Sequence, residues 1–493
     1  MNNARDMSSI SRRSLVKAMM AAGVLISTPV WAIENPFQRP KKWNKTVDVL
    51  VIGAGGAGLT AAIAAKEAGV KNVLVLEKMA FAGGNTVRAG GGFNAAIKAD
   101  SEKAGIKDSP ELHAAQTLAA GDYRGQPDIV KTLTEEAPKS VQWLKDHGIK
   151  FQDRIYQIYG GLYPRARNPL GPRGSAYIQT LSAVCEKEGI PIQTETKVVS
   201  IIREKPFAGR VLGVKVETDE GTQYIRARTG VIVCAGGFAP NAKLCGLHDP
   251  RLEKLGTTNH PGATGEVLHE MIDLGAQTTD LDYIQCIPGG LPDGKKYPNL
   301  FTNVDRFIFV NMDGKRFTNE LLTRDVVSQN VLKQKDGVAY LIYDQSIYDS
   351  NKLSRGYYAD GYSVKGNDIK DLAEKIHVPA ANLEATFAQY HEAYKTGKDT
   401  AFNRPEMIIP LDKAPYYAAL ITPGIHHTMG GVTINPKAEV QSKAGKTIQG
   451  LYAAGEVTGG VHGGNRIGGN AVADIVTFGR IAGTNAAAYA KAH

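Results

Sequence analysis

Cysteine is scarce in this sequence: 493 residues hold only Cys185, Cys234, Cys245 and Cys286. None stands in a Cys-x-x-Cys or Cys-x-x-Cys-His arrangement, which excludes a thiolate zinc site and a c-type haem attached to this chain. Any electron carrier is then a separate protein, and no metal site is expected. Cys234 lies in an apolar run and reads as a small buried hydrophobe. Runs of Lys and Arg are missing too. The net charge of +9 is dispersed, and three of those charges fall within Met1 to Ala32. Nucleic acid is therefore not an expected partner, and the charge amounts to a mild bias toward anionic ligands. Long apolar runs are also absent. The stretch Ala18 to Ser27 falls short of the roughly 20 residues that span a bilayer, so no membrane anchor is expected.

Glycine is what the chain has in excess, with 54 residues against a usual share of about 7%. These glycines gather in short stretches, as they do where backbone must meet a ligand closely. Hydrophobic residues at 43% and charged residues at 22% fit a water-soluble globular chain, and its length allows two or three domains. At the N-terminus, Ser11-Arg12-Arg13-Ser14-Leu15-Val16-Lys17 sets paired arginines before the apolar stretch, and Val30-Trp31-Ala32 supplies small residues for cleavage. Residues 1–32 resemble a twin-arginine signal, the address of proteins exported already folded. A periplasmic location follows as an expectation.

The strongest pattern begins at Val47. An apolar strand runs into Val51-Ile52-Gly53-Ala54-Gly55-Gly56-Ala57-Gly58, a helical stretch reaches Gly69, and a second apolar strand from Asn72 to Leu76 ends at Glu77. Strand, glycine turn, helix, strand and acid in that order predict a Rossmann-type dinucleotide site. Gly53 makes the turn, Gly55 admits the pyrophosphate, and Gly58 lets helix and strand pack. The helix N-terminus offers unpaired N–H groups to the phosphates, and Glu77 can accept from the adenosine ribose. A second glycine-rich stretch follows at once, with Gly83-Gly84-Asn85-Thr86 and Ala89-Gly90-Gly91-Gly92. Backbone amides wrapping a flavin call for such a stretch, which favours FAD over NAD. The runs Gly230 to Gly237 and Gly450 to Glu456 repeat the pattern of apolar strand into small-residue turn.

From about Val47 onward the chain resembles the flavoprotein family of soluble fumarate reductases and periplasmic enoate reductases, including urocanate reductase. The resemblance is carried by Gly424-Ile425-His426-His427-Thr428-Met429-Gly430-Gly431 and by the run from Ala454 to Ala471, with Glu456, His462, Asn465 and Arg466. It implies an α/β fold: a Rossmann-type FAD-binding domain over 46–281 and 426–493, with an inserted α+β clamp domain over 282–425. FAD would be held without a covalent bond. The positions matching cofactor contacts are Gly53, Gly55, Ala57, Gly58, Glu77, Lys78, Gly84, Asn85, Thr86, Gly91, Gly92, Val198, Ala235 and Gly236, then His427, Gly455, Glu456, Arg466, Gly469, Asn470 and Ala471.

The implied reaction saturates the carbon–carbon double bond of a small unsaturated carboxylate, with hydride from the flavin. Arg466 can grip a carboxylate through two N–H bonds and His426 can add a third, drawing charge into the carboxylate as it develops. Arg324 matches the family's proton donor, although a surface arginine paired with Asp325 is the ordinary reading of that string. Asn319 and Glu320 fit the same pattern. Substrate contacts are expected from Tyr283, Cys286, Ile287, Asn299, Leu300 and Asn303. Here the chain departs from the fumarate branch: Ile287 stands where that branch has a histidine, and Asn299, Leu300 and Asn303 replace its threonine, glutamate and arginine. The relay of protons to the arginine is thus lost, with Asp305, Arg306 or Glu320 left to supply it. An unpaired buried carboxylate costs several kcal/mol, so the pocket should prefer a monocarboxylate such as an aryl- or alkyl-acrylate. The stretch Tyr156 to Arg167 either lines that pocket or forms an exposed loop. The electron donor is expected to be a c-type cytochrome or a quinol-linked partner. The rival readings are fumarate reductase itself, a ketosteroid-type flavin dehydrogenase, and an FAD-binding module without activity.

Overall fold

Val49, Leu50 and Val51 have no accessible surface, because the strand Lys45–Ile52 is covered on both faces and paired on both edges. Such a strand reads as a continuous apolar run rather than an alternating one. The computed structural model describes residues 39–158, 160–294 and 306–492. The expected export signal and Asn299, Leu300, Asn303 and Asp305 lie outside them. Among the described residues, Lys45–Ile52 pairs in parallel with Val73–Leu76 and with Gly221–Val233, and the latter pairs in parallel with Thr447–Ala453. The sheet continues to Ile192–Gln193 at one edge and to Glu439–Gln441 at the other, and Lys197–Lys205 and Ala208–Thr218 extend it as an antiparallel hairpin.

The turn after Lys45–Ile52 depends on two glycines. Gly53 has φ +99°, and a Cβ there would clash with the carbonyl of Cys234 on the neighbouring strand. A Cβ at Gly58 would clash with the carbonyl of Gly53, so the helix Gly56–Glu67 could not start so close to the strand. That helix is buried almost all round. On its far side lies the helix Asn470–Ala492, and side chains at Gly479 or Gly483 would collide with the Gly56–Glu67 backbone. The Ala- and Gly-rich composition of both helices is therefore a packing requirement.

A second sheet is built from Ile284–Gly290, Tyr416–Thr428, Ala339–Asp344 and Ile308–Val310, with Ser363–Gly366 paired to Tyr416–Thr428. Its two faces follow the period of a strand: Phe309, Leu341 and Tyr343 enter one core, while Ile308, Val310 and Ile342 enter the other. A buried ion cluster ties this region together. Glu320 accepts two bonds from Arg316, at 2.9 and 2.8 Å, and one from Arg404 at 3.0 Å, while Arg316 also reaches Asp399 at 3.1 Å. The strand Tyr416–Thr428 ends with an irregularity. Gln285 faces His427 and Cys286 faces Ile425, so His426 is an extra residue with no opposite number. A bulge of this kind re-aims side chains.

Candidate active site

A cavity opens above the glycine turn, lined by Gly53, Gly55, Ala57, Glu77, Lys78, Gly84, Asn85, Thr86, Val198, Ala235, Gly236, Gly455 and Glu456. All of these are positions expected from the sequence to hold the cofactor. The nearest atom to a Cβ built at Gly55 is 3.8 Å away, so a side chain would occupy the space a pyrophosphate needs. Glu77 is fixed by the backbone: its two oxygens accept from Ala54 N and Met79 N, each at 2.9 Å. Lys78 is tied to the rim through Thr264 at 2.7 Å and Glu266 at 2.8 Å. Asn85 donates to Glu456 at 2.8 Å and accepts from His260 N at 2.7 Å.

Other expected residues support the cleft from behind. Gly58 packs under the turn, and Gly91 sits against the backbone of Arg173. Gly92 lies under Ile158 and Tyr156, and Gly469 abuts the Asn94 side chain. The side chain of Asn470 meets Asn94 at 2.8 Å, His113 at 2.9 Å and Thr117 at 3.0 Å, so it holds together the start of the helix that Ala471 continues. His260, Met79, Gly262 and Thr196 also line the cavity; they were not identified from the sequence, since they belong to no glycine motif.

Next to Glu456 lies a cluster of buried cationic and imidazole side chains. Arg466 is 5% exposed; it donates from Nη2 to Gln285 at 3.1 Å and from Nη1 to the carbonyl of Ile467 at 3.1 Å. Its Nε has no partner among the described residues. Burial, then the charge of Arg324, push its pKa down to about 9. Arg324 is itself buried and opens the helix Arg324–Leu332, so it is not the surface arginine its local sequence suggests. The backbone of Gly160 lies on its guanidinium. Burial and these two arginines also hold His426 and His427 well below the usual histidine range, so both imidazoles are neutral at pH 7. His426 Nδ1 lies 2.7 Å from Thr258 Oγ1. His427 Nδ1 is 3.6 Å from Glu456, and its Nε2 has no partner. Two buried cations close enough to shift each other, with the unpartnered Nε–H of Arg466 beside a glycine-lined cleft, fit a flavin with an anion in front of it.

Of the remaining expected substrate contacts, Tyr283, Cys286 and Ile287 are among the described residues. Ile287 and Cys286 are buried in the strand that faces His427 and Ile425. Burial pushes the Cys286 thiol up to about 12, so it is not a nucleophile. Tyr283 is half-buried under the Arg124 guanidinium, 4.3 Å from its ring centroid. Within Tyr156 to Arg167 the two arginines turn inward. Arg165 pairs with Asp108 through bonds of 3.0 and 2.8 Å, and Arg167 pairs with Asp100 at 3.1 Å. That stretch covers Arg324 through Gly160 but brings no free charge from Arg165 or Arg167. Glu320 is enclosed by Arg316 and Arg404, which argues against its serving as a proton relay.

Residues 48–472 match the family described as the FAD binding domain. A fumarate reductase (cytochrome) of Shewanella frigidimarina is 38% identical over 451 residues, covering 91% of this chain and 78% of that protein. The acrylate reductase flavoprotein subunit of Shewanella woodyi is 34% identical over 501 residues, covering 96% of this chain and 97% of that one. Among solved structures, the open conformation of a flavocytochrome c3 fumarate reductase superposes with a TM-score of 0.79 at 34% identity, covering 99% of this chain and 83% of that one. The chain belongs to the family of FAD-dependent oxidoreductases that act on the carbon–carbon double bond of enoates, among the fumarate, urocanate and acrylate reductases.

Proposed function

We propose that this protein reduces a monocarboxylate 2-enoate, an aryl- or alkyl-acrylate, as a periplasmic terminal reductase. The observation that carries this reading is the convergence of buried Arg466 and Arg324 with neutral His426, while Ile287 is buried where the fumarate branch has a histidine. Bound FAD supplies the hydride for the carbon β to the carboxylate. Arg466 and the Nε2–H of His426 grip the carboxylate and stabilise the charge that moves onto it. Arg324 gives the proton to the other carbon. Segment 282–425 acts as the clamp, and 46–281 with 426–493 holds the cofactor without a covalent bond. Export by the twin-arginine route is supported by Ser11 to Lys17. Among the described residues no helix is long and apolar enough to cross a membrane. Electrons come from a separate cytochrome or quinol-linked protein.

A neutral steroid enone would leave two buried cations without a counter-charge, which is costly, so the dehydrogenase reading is disfavoured. The test is reoxidation of the reduced flavoprotein under argon by acrylate, methacrylate, cinnamate, urocanate, fumarate and a steroid enone. A monocarboxylate should be fastest. Fumarate as the fastest oxidant would overturn the monocarboxylate assignment, and the steroid would overturn the carboxylate grip altogether.

A further inference from the structure

The segment Gly256 to Asn259 is fastened along the end of the strand that carries His426. Ile425 N donates to the carbonyl of Gly256 at 2.8 Å, and Thr258 N donates to that of Ile425 at 3.0 Å. Thr257 Oγ1 reaches the same carbonyl at 2.9 Å, and Asn259 Nδ2 donates to the carbonyl of His426 at 2.7 Å. From the other side Arg88 Nε donates to the carbonyl of Thr258 at 2.8 Å. The backbone of Thr258 is therefore held from both flanks, and its hydroxyl lies 2.7 Å from Nδ1 of His426.

A neutral imidazole carries one N–H. A carboxylate only accepts hydrogen bonds, so His426 can bind one through Nε2 only if the proton sits on Nε2 and Nδ1 accepts. Thr258 can meet that need: its oxygen accepts from Asn259 Nδ2 at 3.5 Å, which leaves its hydrogen for the ring. We infer that Thr258 is a positioning residue, donating to Nδ1 of His426 and so fixing the tautomer whose Nε2–H faces the substrate carboxylate. The inference deepens the function proposed above and rests on His426 as a carboxylate ligand. No motif in the sequence pointed to it, since Thr258 and His426 are far apart in the chain and meet only at the bulge.

The experiment uses the FAD-loaded full chain and two substitutions. Thr258→Val removes the hydroxyl at nearly constant shape and should raise KM for acrylate roughly tenfold, the loss of about one hydrogen bond. Its kcat should fall as well, because the same N–H also stabilises the charge that develops on the carboxylate, and its flavin content should be unchanged. Thr258→Ser keeps the donor and should restore KM. An unchanged KM in the Val variant, or a Ser variant as impaired as Val, would overturn the inference. A second readout needs no turnover: ¹⁵N imidazole NMR, with the His426 signal assigned from its absence in His426→Gln. The parent and Thr258→Ser should show His426 protonated on Nε2 alone, and protonation on Nδ1 in the parent would refute the tautomer. A protein that reduces no enoate would sink the proposed function while leaving this NMR result to stand or fall by itself.

Discussion

Arg466 holds its charge in a place that works against it. Burial is the largest cause of its depressed pKa and Arg324 the next, with Glu456 and Asp474 opposing them. A bound carboxylate adds a partner and raises that pKa again. On the proposed function the protonated form is the one that binds, so affinity is complete below about 9 and is lost as the pH rises through that value. KM for the enoate should then climb about tenfold per pH unit above the transition, read from initial rates between pH 7 and 10.5. A profile that stays flat across this range would show that Arg466 does not lose its proton there. At this scale the sequence was legible where a residue's type is its chemistry. Gly53 and Gly55 declare the turn, and His426 and Arg466 each stand inside a specific run. Gln285 and Thr258 were not legible: they matter through what they touch, and a bulge decides those contacts.

The strand–turn–helix–strand unit from Lys45 to Leu76 could be read from apolar runs and glycine spacing, because each step is a local steric rule. The bulge that makes His426 an extra residue could not, since a period of two says nothing of where it breaks. Nor could the burial of Glu320. From the sequence it is a charged neighbour of Arg324 available for proton transfer; in the fold it is the centre of an ion cluster with Arg316 and Arg404, all nearly inaccessible. Breaking a buried pair leaves uncompensated charge, at roughly 3–5 kcal/mol. Glu320→Gln should therefore lower the stability of the flavin-loaded protein by about that amount in urea titrations, with substrate turnover per folded molecule largely kept. Unchanged stability together with lost turnover would return Glu320 to the proton path.

Across the whole molecule, the parallel sheet positions the glycine turn and Glu77, and the second sheet delivers His426 and His427 at the end of one long strand. Arg466 comes from the run just before the helix Asn470–Ala492, and Arg324 from the start of another helix. Three separate parts of the chain thus bring positive or imidazole groups together beside Glu456 of the cofactor cleft. The family could be recognised in the sequence because its glycine and histidine motifs are contiguous, whereas the substrate follows from a pocket that distant segments assemble. On the proposed function, this spot drives reduction by gripping a carboxylate anion. The most direct measurement compares reoxidation of the reduced flavoprotein by acrylate and by methyl acrylate, which keeps the double bond and loses the anion. Without the grip the ester is intrinsically the better electrophile. With the grip, the ester should react at least about 100-fold more slowly than acrylate; an ester that reacts as fast or faster would rule the grip out.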